Sequence, residues 1–445
     1  MRVARWEITL AAMLCSLLTA PEVAAQAGTY DTSWRPSGRT VLALPNTAVS
    51  TGVAIDDVGG SLSLIVARVP QGSTQANSAV VRLLPDGALD PGFGIGGYVD
   101  FFSSVSPTLG IVTGDGDGLA FDDWAASNPP VIWVYLKRGT FQRSGFRAFV
   151  RTDLTSGSRA FAIASAPGNR LVIAGGAGPF NTMDFGVTVI DATTSFPDLS
   201  FADGGLRIPI GGSTTNDYAT AVTADAIGLI VVAGLVERPS SARGMAVARF
   251  LPDGNLDNAF ATGGLLDGVA GIRGSPKAMA IDGQGGTLIA FDDELAQSSL
   301  SIVRITPDGL VDSSFGPDNS GVARAGFGPG NAQACCLVVQ PDGAIVVGGT
   351  TNLLIGNSRF GIARFDATGQ PDPTFGVAGK TEGGFSTDLS RRSTMTAMRL
   401  DTRLRLVVLG YDSASGQPTR TGVAMVRTGL ALPETVFADG FEAAP

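Results

Sequence analysis

One phrase recurs along this chain. It reads LPDGALDPGFGIGG at 84–97, LPDGNLDNAFATGG at 251–264, TPDGLVDSSFGPDNSG at 306–321 and DATGQPDPTFGVAG at 366–379. Its aromatic anchor falls at Phe93, Phe201, Phe260, Phe315 and Phe375, with gaps of 108, 59, 55 and 60 residues, the first being two periods of 54. Self-similarity at such a period means stacked modules that share a core, not two or three independent domains.

Each period carries a second signature, a short run rich in Val, Ile and Leu. The runs are Leu62–Ala67, Val131–Leu136, Leu171–Gly175, Leu229–Gly234, Thr287–Phe291, Ala344–Gly349 and Leu404–Gly410. Their length, β-branching and bounding turns predict buried strands. A third signature, at Ala79–Leu83, Ala148–Arg151, Ala246–Phe250, Ser301–Ile305, Gly361–Phe365 and Val423–Arg427, predicts further strands, several leading into the Pro-Asp-Gly turn. A fourth strand is expected after the Gly pair, as at Gly97–Phe102, Leu206–Ile210 and Val322–Phe327. With 60 glycines and only 16% charged residues, the composition suits strands and turns. Four short strands per period, seven times over, predict an all-β, seven-bladed β-propeller.

The ends sharpen that expectation. The last module stops after Val423–Arg427, without the aromatic phrase or a fourth strand. The N-terminal region begins with those missing parts: Tyr30-Asp31-Thr32-Ser33-Trp34, then Gly38 to Leu44, with Trp34 standing 59 residues before Phe93. The N-terminal strand is therefore expected to complete the C-terminal blade, which removes exposed sheet edges.

The strings RFLPDGNLDNAFATGG and PDGAIVVGG resemble the delta-60 repeat of bacterial secreted and surface proteins. The resemblance covers about 30 to 430. It implies a propeller-like β fold and no known reaction. Val436 to Glu442 (VFADGFE) resembles a short tail of some secreted bacterial proteins.

Before the repeats, Arg2 and Arg5 precede an apolar stretch from Ile8 to Ala20, too short to span a bilayer. Val23-Ala24-Ala25 and Ala25-Gln26-Ala27 both offer small-x-small cleavage patterns. This reads as a secretory signal peptide. A lipid anchor on Cys15 is disfavoured by Met13 and Leu14 before it and by Leu17 and Leu18 after it. The expected organisation is a signal peptide over 1–27, a propeller over 28–430 and a tail over 431–445. Export to the periplasm, cell surface or medium follows, with no membrane span after cleavage and a monomeric product.

Charge and residue inventory exclude several chemistries. The net charge is −9, and near −10 without the signal segment, so a basic nucleic-acid footprint is absent. There is no His, which removes His-dependent triads and His-ligated metals. Cys335 and Cys336 are adjacent, so a disulfide framework is excluded; they read as small core side chains or a vicinal disulfide.

Arg82, Arg249, Arg304 and Arg364 each stand eight residues before an Asp: Asp90, Asp257, Asp312 and Asp372. The turn between them is expected to bring each pair together as a charge-assisted staple. Repetition points to architecture, because a catalytic site is assembled once. Near 190–198 Ile190 replaces the Arg, leaving Asp198 without this partner. A ligand site is best sought where the phrase breaks down. Asp115, Asp117, Asp122, Asp123 and Trp124 lie there, with Trp133 and Tyr135. This loop could place oxygen ligands around Ca2+, although Leu119 occupies one expected ligand position and no Glu closes it. The expected function is a non-catalytic binding or scaffold module with a protein or glycan partner of the cell envelope. The alternative is a His-free carbohydrate-active enzyme using Asp or Glu carboxylates at the channel.

Overall fold

The computed structural model describes residues 26 to 430, apart from short stretches of which the longest are 102–110 and 148–158. No α-helix occurs among the described residues, and one 3-10 turn spans Ala202–Gly204. The strands form seven open antiparallel sheets among the described residues.

The first sheet holds Thr47–Val58, Ser61–Pro70, Asn77–Leu83 and Tyr98–Phe101, and the second Ile111–Val112, Gly118–Asp123, Val131–Leu136 and Gln142–Arg147. The third holds Arg159–Ala166, Arg170–Ala177 and Asp184–Asp191, with Phe196–Pro197 and Leu206–Ile208 both on its last long strand. The fourth holds Tyr218–Ala224, Ile230–Glu237, Arg243–Phe250 and Leu265–Asp267. The fifth holds Gly274–Ile281, Thr287–Asp293, Ser299–Ile305 and Val322–Gly326. The sixth holds Gln333–Val339, Ile345–Thr351, Arg359–Phe365 and Lys380–Gly383. In the seventh, Arg392–Leu400, Arg405–Ala414 and Gln417–Arg427 are joined by Arg39–Val41, from the other end of the chain. Its register sets Arg39 against Ala424 and Val41 against Gly422.

The sequence expectation needs one change of frame. Val131–Leu136 is the third strand of its sheet, pairing with Gly118–Asp123 and Gln142–Arg147, where the other apolar runs are second strands. The strand expected at Ala148–Arg151 lies outside the described residues.

The first strand of each sheet was the least explicit in the sequence, and the reason is physical. In six sheets it carries a β-bulge, at Gly52/Ala54, Ala160/Ala162, Ala219/Ala221, Pro276/Ala278, Ala334/Cys336 and Met395/Ala397. The extra residue breaks the two-residue alternation that identifies a strand. The bulge also explains why apolar runs end in Gly. A Cβ at Gly234, Gly349 or Gly410 would stand 2.1, 2.1 or 1.9 Å from the carbonyl oxygen of Tyr218, Gln333 or Thr394 on the bulged strand. Backbone approach that close leaves room for hydrogen only.

First strands pack on their neighbours in chain order from the third sheet to the seventh, and Thr47–Val58 lies against the three long strands of the seventh sheet. At that junction Trp34, Leu42 and Leu44 share one core with Leu64 and Val66 of the first sheet and Leu409 and Val423 of the seventh. Hydroxyls bridge sheets too: Thr220 Oγ1 donates to the Pro276 carbonyl and Thr396 Oγ1 to that of Gly52, both at 2.8 Å.

Candidate functional site

The repeated Asp is the centre of a small built unit. Its Oδ1 accepts the backbone N–H two residues on: from Ser33 to Asp31, Gly92 to Asp90, Ser200 to Asp198, Ala259 to Asp257, Ser314 to Asp312 and Thr374 to Asp372, all at 2.9–3.1 Å. This is an Asx turn, and it aims the aromatic residue inward. Phe201, Phe260, Phe315 and Phe375 are fully buried, and Trp34 and Phe93 nearly so. Each such ring contributes about 2–3 kcal/mol of burial.

The other carboxylate oxygen takes an arginine. Oδ2 of Asp90, Asp257, Asp312 and Asp372 lies 2.8, 2.8, 2.7 and 2.8 Å from Arg82, Arg249, Arg304 and Arg364. The same guanidinium groups lie over Phe93, Phe260, Phe315 and Phe375, at 4.4–5.0 Å from the ring centroids. Three of them also reach the following sheet. Arg249 Nη1 donates to the Pro307 carbonyl and Arg304 Nη1 to that of Ala367, both at 2.6 Å, and Arg364 Nη1 donates to the Thr428 carbonyl. One side chain thus holds its own turn, covers its own aromatic and ties down the next module.

Asp198 corrects the sequence reading. Its N–H donates to the Val189 carbonyl, as that of Asp257 does to Arg249, so Val189 and not Ile190 stands at the Arg position, and Arg170 Nε, from the second strand, lies 2.9 Å from Asp198 Oδ2. Arg170 Nη2 also donates to the Pro252 carbonyl of the next sheet at 2.9 Å. Both jobs are done from a different strand. Asp31 is served similarly, by Arg405 at 2.9 Å and Arg427 at 3.0 Å.

Burial opposes ionisation of Asp31, Asp198, Asp312 and Asp372. It is outweighed in each by hydrogen bonds from the Ser or Thr two residues on and by the arginines, so all four sit below the usual carboxylate range. These groups are held ionised and are poor proton donors.

Sequence reading missed a second set of ion pairs towards the opposite strand ends. Arg68–Asp100 (2.8 Å), Asp184–Arg207 (2.5 Å), Asp293–Arg324 (2.7 Å) and Arg391–Asp412 (2.5 Å) join strands within their sheets or the approach to them. Acid and base exchange places and the spacings vary, so no repeated string betrays them.

One cleft holds polar groups that no repeat explains. It has a volume of 340 Å³, lies between the fifth and sixth sheets, and is lined by Asp292, Asp293, Glu294, Gln297, Asn331 and Gln333 among others. Lys277 is the extra residue of the fifth sheet's bulge, and its Nζ lies 3.1 Å from Asp292 Oδ2. Asp292 Oδ1 accepts the Ala334 N–H of the sixth sheet at 3.0 Å. Burial raises the Asp292 pKa, and Lys277 and the Ala334 bond offset only part of that. Cys335 and Cys336, joined in a disulfide, follow directly on the same strand, with Cys335 as the extra residue of its bulge.

Asp115, Asp117 and Trp124 lie outside the described residues, and Asp122 and Asp123 are described as backbone of Gly118–Asp123 only. Among the described residues no group of three His, Cys, Asp or Glu side chains could hold a metal ion. No helix among them is long and apolar enough to cross a membrane.

An all-β architecture of four-stranded antiparallel sheets, knit by a repeated Asp-aromatic turn, defines a repeat protein of the β-propeller class. A family model described as a domain of unknown function (DUF5122), beta-propeller, matches residues 56–93, 228–260 and 340–375. Each match holds an apolar run and ends on the aromatic anchor of the phrase after it, Phe93, Phe260 or Phe375. No curated protein matches the chain. Among solved structures, the polysaccharide lyase Uly1 superposes with a TM-score of 0.51 at 11% identity, covering 91% of this chain and 98% of its own. A protein of unknown function from Dyadobacter fermentans DSM 18053 reaches 0.46 at 13% identity, covering 88% and 98%. Chaetomium thermophilum Sqt1 reaches 0.48 at 11%, covering 86% and 98%. At 11% identity the likeness to Uly1 is one of fold.

Proposed function

We propose that this chain is an exported, monomeric, seven-bladed β-propeller that works as a non-catalytic binding or scaffold module of the cell envelope. Closure of the ring is supported by the pairing of Arg39–Val41 with Gln417–Arg427 and by the packing of Thr47–Val58 on the seventh sheet. The observation that carries the non-catalytic reading is the saturation of the repeated carboxylates. Each of the six has one oxygen on a backbone N–H and the other on an arginine, which leaves none of these six free to act as acid or base.

The second reading, a His-free carbohydrate-active enzyme, draws on Asp292. Its raised pKa, in a cleft that Glu294 also lines, suits a general acid. A glycan panel and envelope extracts, presented to the mature chain and to Asp292→Asn, separate the two. Retention without release of reducing ends supports the binding module. Product release by the parent chain that Asp292→Asn abolishes establishes the enzyme. Running both with and without chelator tests the calcium and ligand role proposed for residues 115–124. Loss of retention in the Asp117→Ala/Trp124→Ala double variant places the ligand there.

A further inference from the structure

The seam between the chain ends bears on how the chain is processed. In the fourth, fifth and sixth sheets the turn after the third long strand has a Gly at φ near +85°: Gly254 (+89°), Gly309 (+85°) and Gly369 (+83°). The residue before each one uses its carbonyl to accept an N–H from the preceding sheet. Asp253 accepts from Ala202 (3.0 Å), Asp308 from Ala261 (2.8 Å) and Thr368 from Gly316 (2.9 Å).

In the seventh sheet the third long strand ends at Arg427, and the N-terminal segment supplies this turn instead. Gly28 has φ +82° and donates to the Arg427 carbonyl at 2.7 Å, as Gly254 does to Leu251. The Ala27 carbonyl accepts the Gly376 N–H at 2.8 Å. Ala27 is 7% exposed and packs in one core with Phe375. Gln26, by contrast, is exposed, and its Nε2 donates to the Gly376 carbonyl at 2.9 Å.

These positions discriminate between the two small-x-small patterns. A cut after Ala27 would delete the acceptor for the Gly376 N–H and leave an ammonium on buried Gly28, where the charge is desolvated. A cut after Ala25 keeps the whole turn and leaves the ammonium on exposed Gln26, in water. We propose that the exported chain is cleaved between Ala25 and Gln26, so that Gln26 and Ala27 belong to the folded domain. This rests on reading residues 1–25 as a signal segment.

The test is to express the full chain with a C-terminal tag in an exporting bacterium and to determine the N-terminus of the exported fraction. Gln26, as free glutamine or cyclised to pyroglutamate, is the expected first residue. An exported chain starting at Gly28, or at any other internal residue, would overturn the cleavage position alone. A chain retaining Met1 would overturn the signal reading as well. Processing is also read on denaturing gels, which do not depend on folding. Ala25→Leu should abolish or shift the cut, and Ala27→Leu should leave it unchanged; the opposite pattern refutes the proposal.

Discussion

Arg170 Nε lies 2.9 Å from Asp198 Oδ2, although this arginine comes from the second strand of its sheet where four other sheets use the third. The Asp is fixed by its Asx turn, and the arginine that neutralises it is recruited from whichever strand can reach. Arg170→Ala should therefore cost about 2–3 kcal/mol, because it strands a largely buried carboxylate and a carbonyl of the next sheet. Adding Val189→Arg, which restores the arginine at the place it holds in the other sheets, should recover at least half of the loss. Urea unfolding of the single and double variants measures both. An additive double variant would show that position 189 cannot substitute.

The Asp31 cluster ties the N-terminal segment to the seventh sheet through Arg405 and Arg427. Asp31→Asn should lower stability by about 3 kcal/mol at pH 7. A carboxylate whose folded pKa lies below its unfolded value contributes stability at pH values above the unfolded pKa, and that contribution is lost as pH falls through the folded one. For Asp31, Asp198, Asp312 and Asp372 the loss begins below the ordinary value of 3.8. Melting midpoints from pH 6 to pH 2 should fall steeply for the parent chain below that value. The drop should be shallower for Asp31→Asn.

Two glycines with the same backbone separate strain from contact between sheets. Gly285 has φ +81° with its nearest neighbour 3.7 Å from an added Cβ, whereas at Gly309 (φ +85°) a Cβ would meet the Ala261 nitrogen at 2.4 Å. Gly285→Ala should cost about 1 kcal/mol, from the left-handed backbone alone. Gly309→Ala should cost about 3 kcal/mol, since the fourth and fifth sheets must part. Equal losses by calorimetry would mean that the interface yields freely.

Lys277 faces Asp292, whose pKa burial raises. Lys277→Met should push that pKa higher still, since it removes the charge that lowers it. A carboxyl with a raised folded pKa favours the folded state at low pH, and that gain is lost as pH rises through the folded value. The variant should accordingly lose more stability between pH 4 and pH 8 than the parent chain. Carboxyl carbon NMR of Asp292 reports the shift directly.

Local chemistry made much of this chain legible. Pro-Asp-Gly demands a turn, Asp followed three residues later by Phe demands an Asx turn with a buried ring, and runs such as Ala344–Gly349 demand interior strands. Those rules act within a few residues, so a string records them. Arg170 escaped because its partner is set by register between strands. The Asp184–Arg207 and Asp293–Arg324 pairs escaped because either end of such a pair can carry either charge. The first strands of the sheets were faint because a bulge interrupts their alternation. Lys277 and Asp292 meet only because the bulge aims the lysine across its own hairpin while Ala334 of the next sheet holds the acid.

What the sequence determined by itself was the module: its period, its turns, its anchor and the Asp that holds it, all consequences of short-range backbone preference and side-chain burial. Which arginine answers each Asp, where a cleft opens between modules, and that Ala27 and Gly28 stand in for a turn some 400 residues away were decided by the tertiary structure. Those relations depend on distances between strands remote along the chain, and such distances exist only once the sheets have packed.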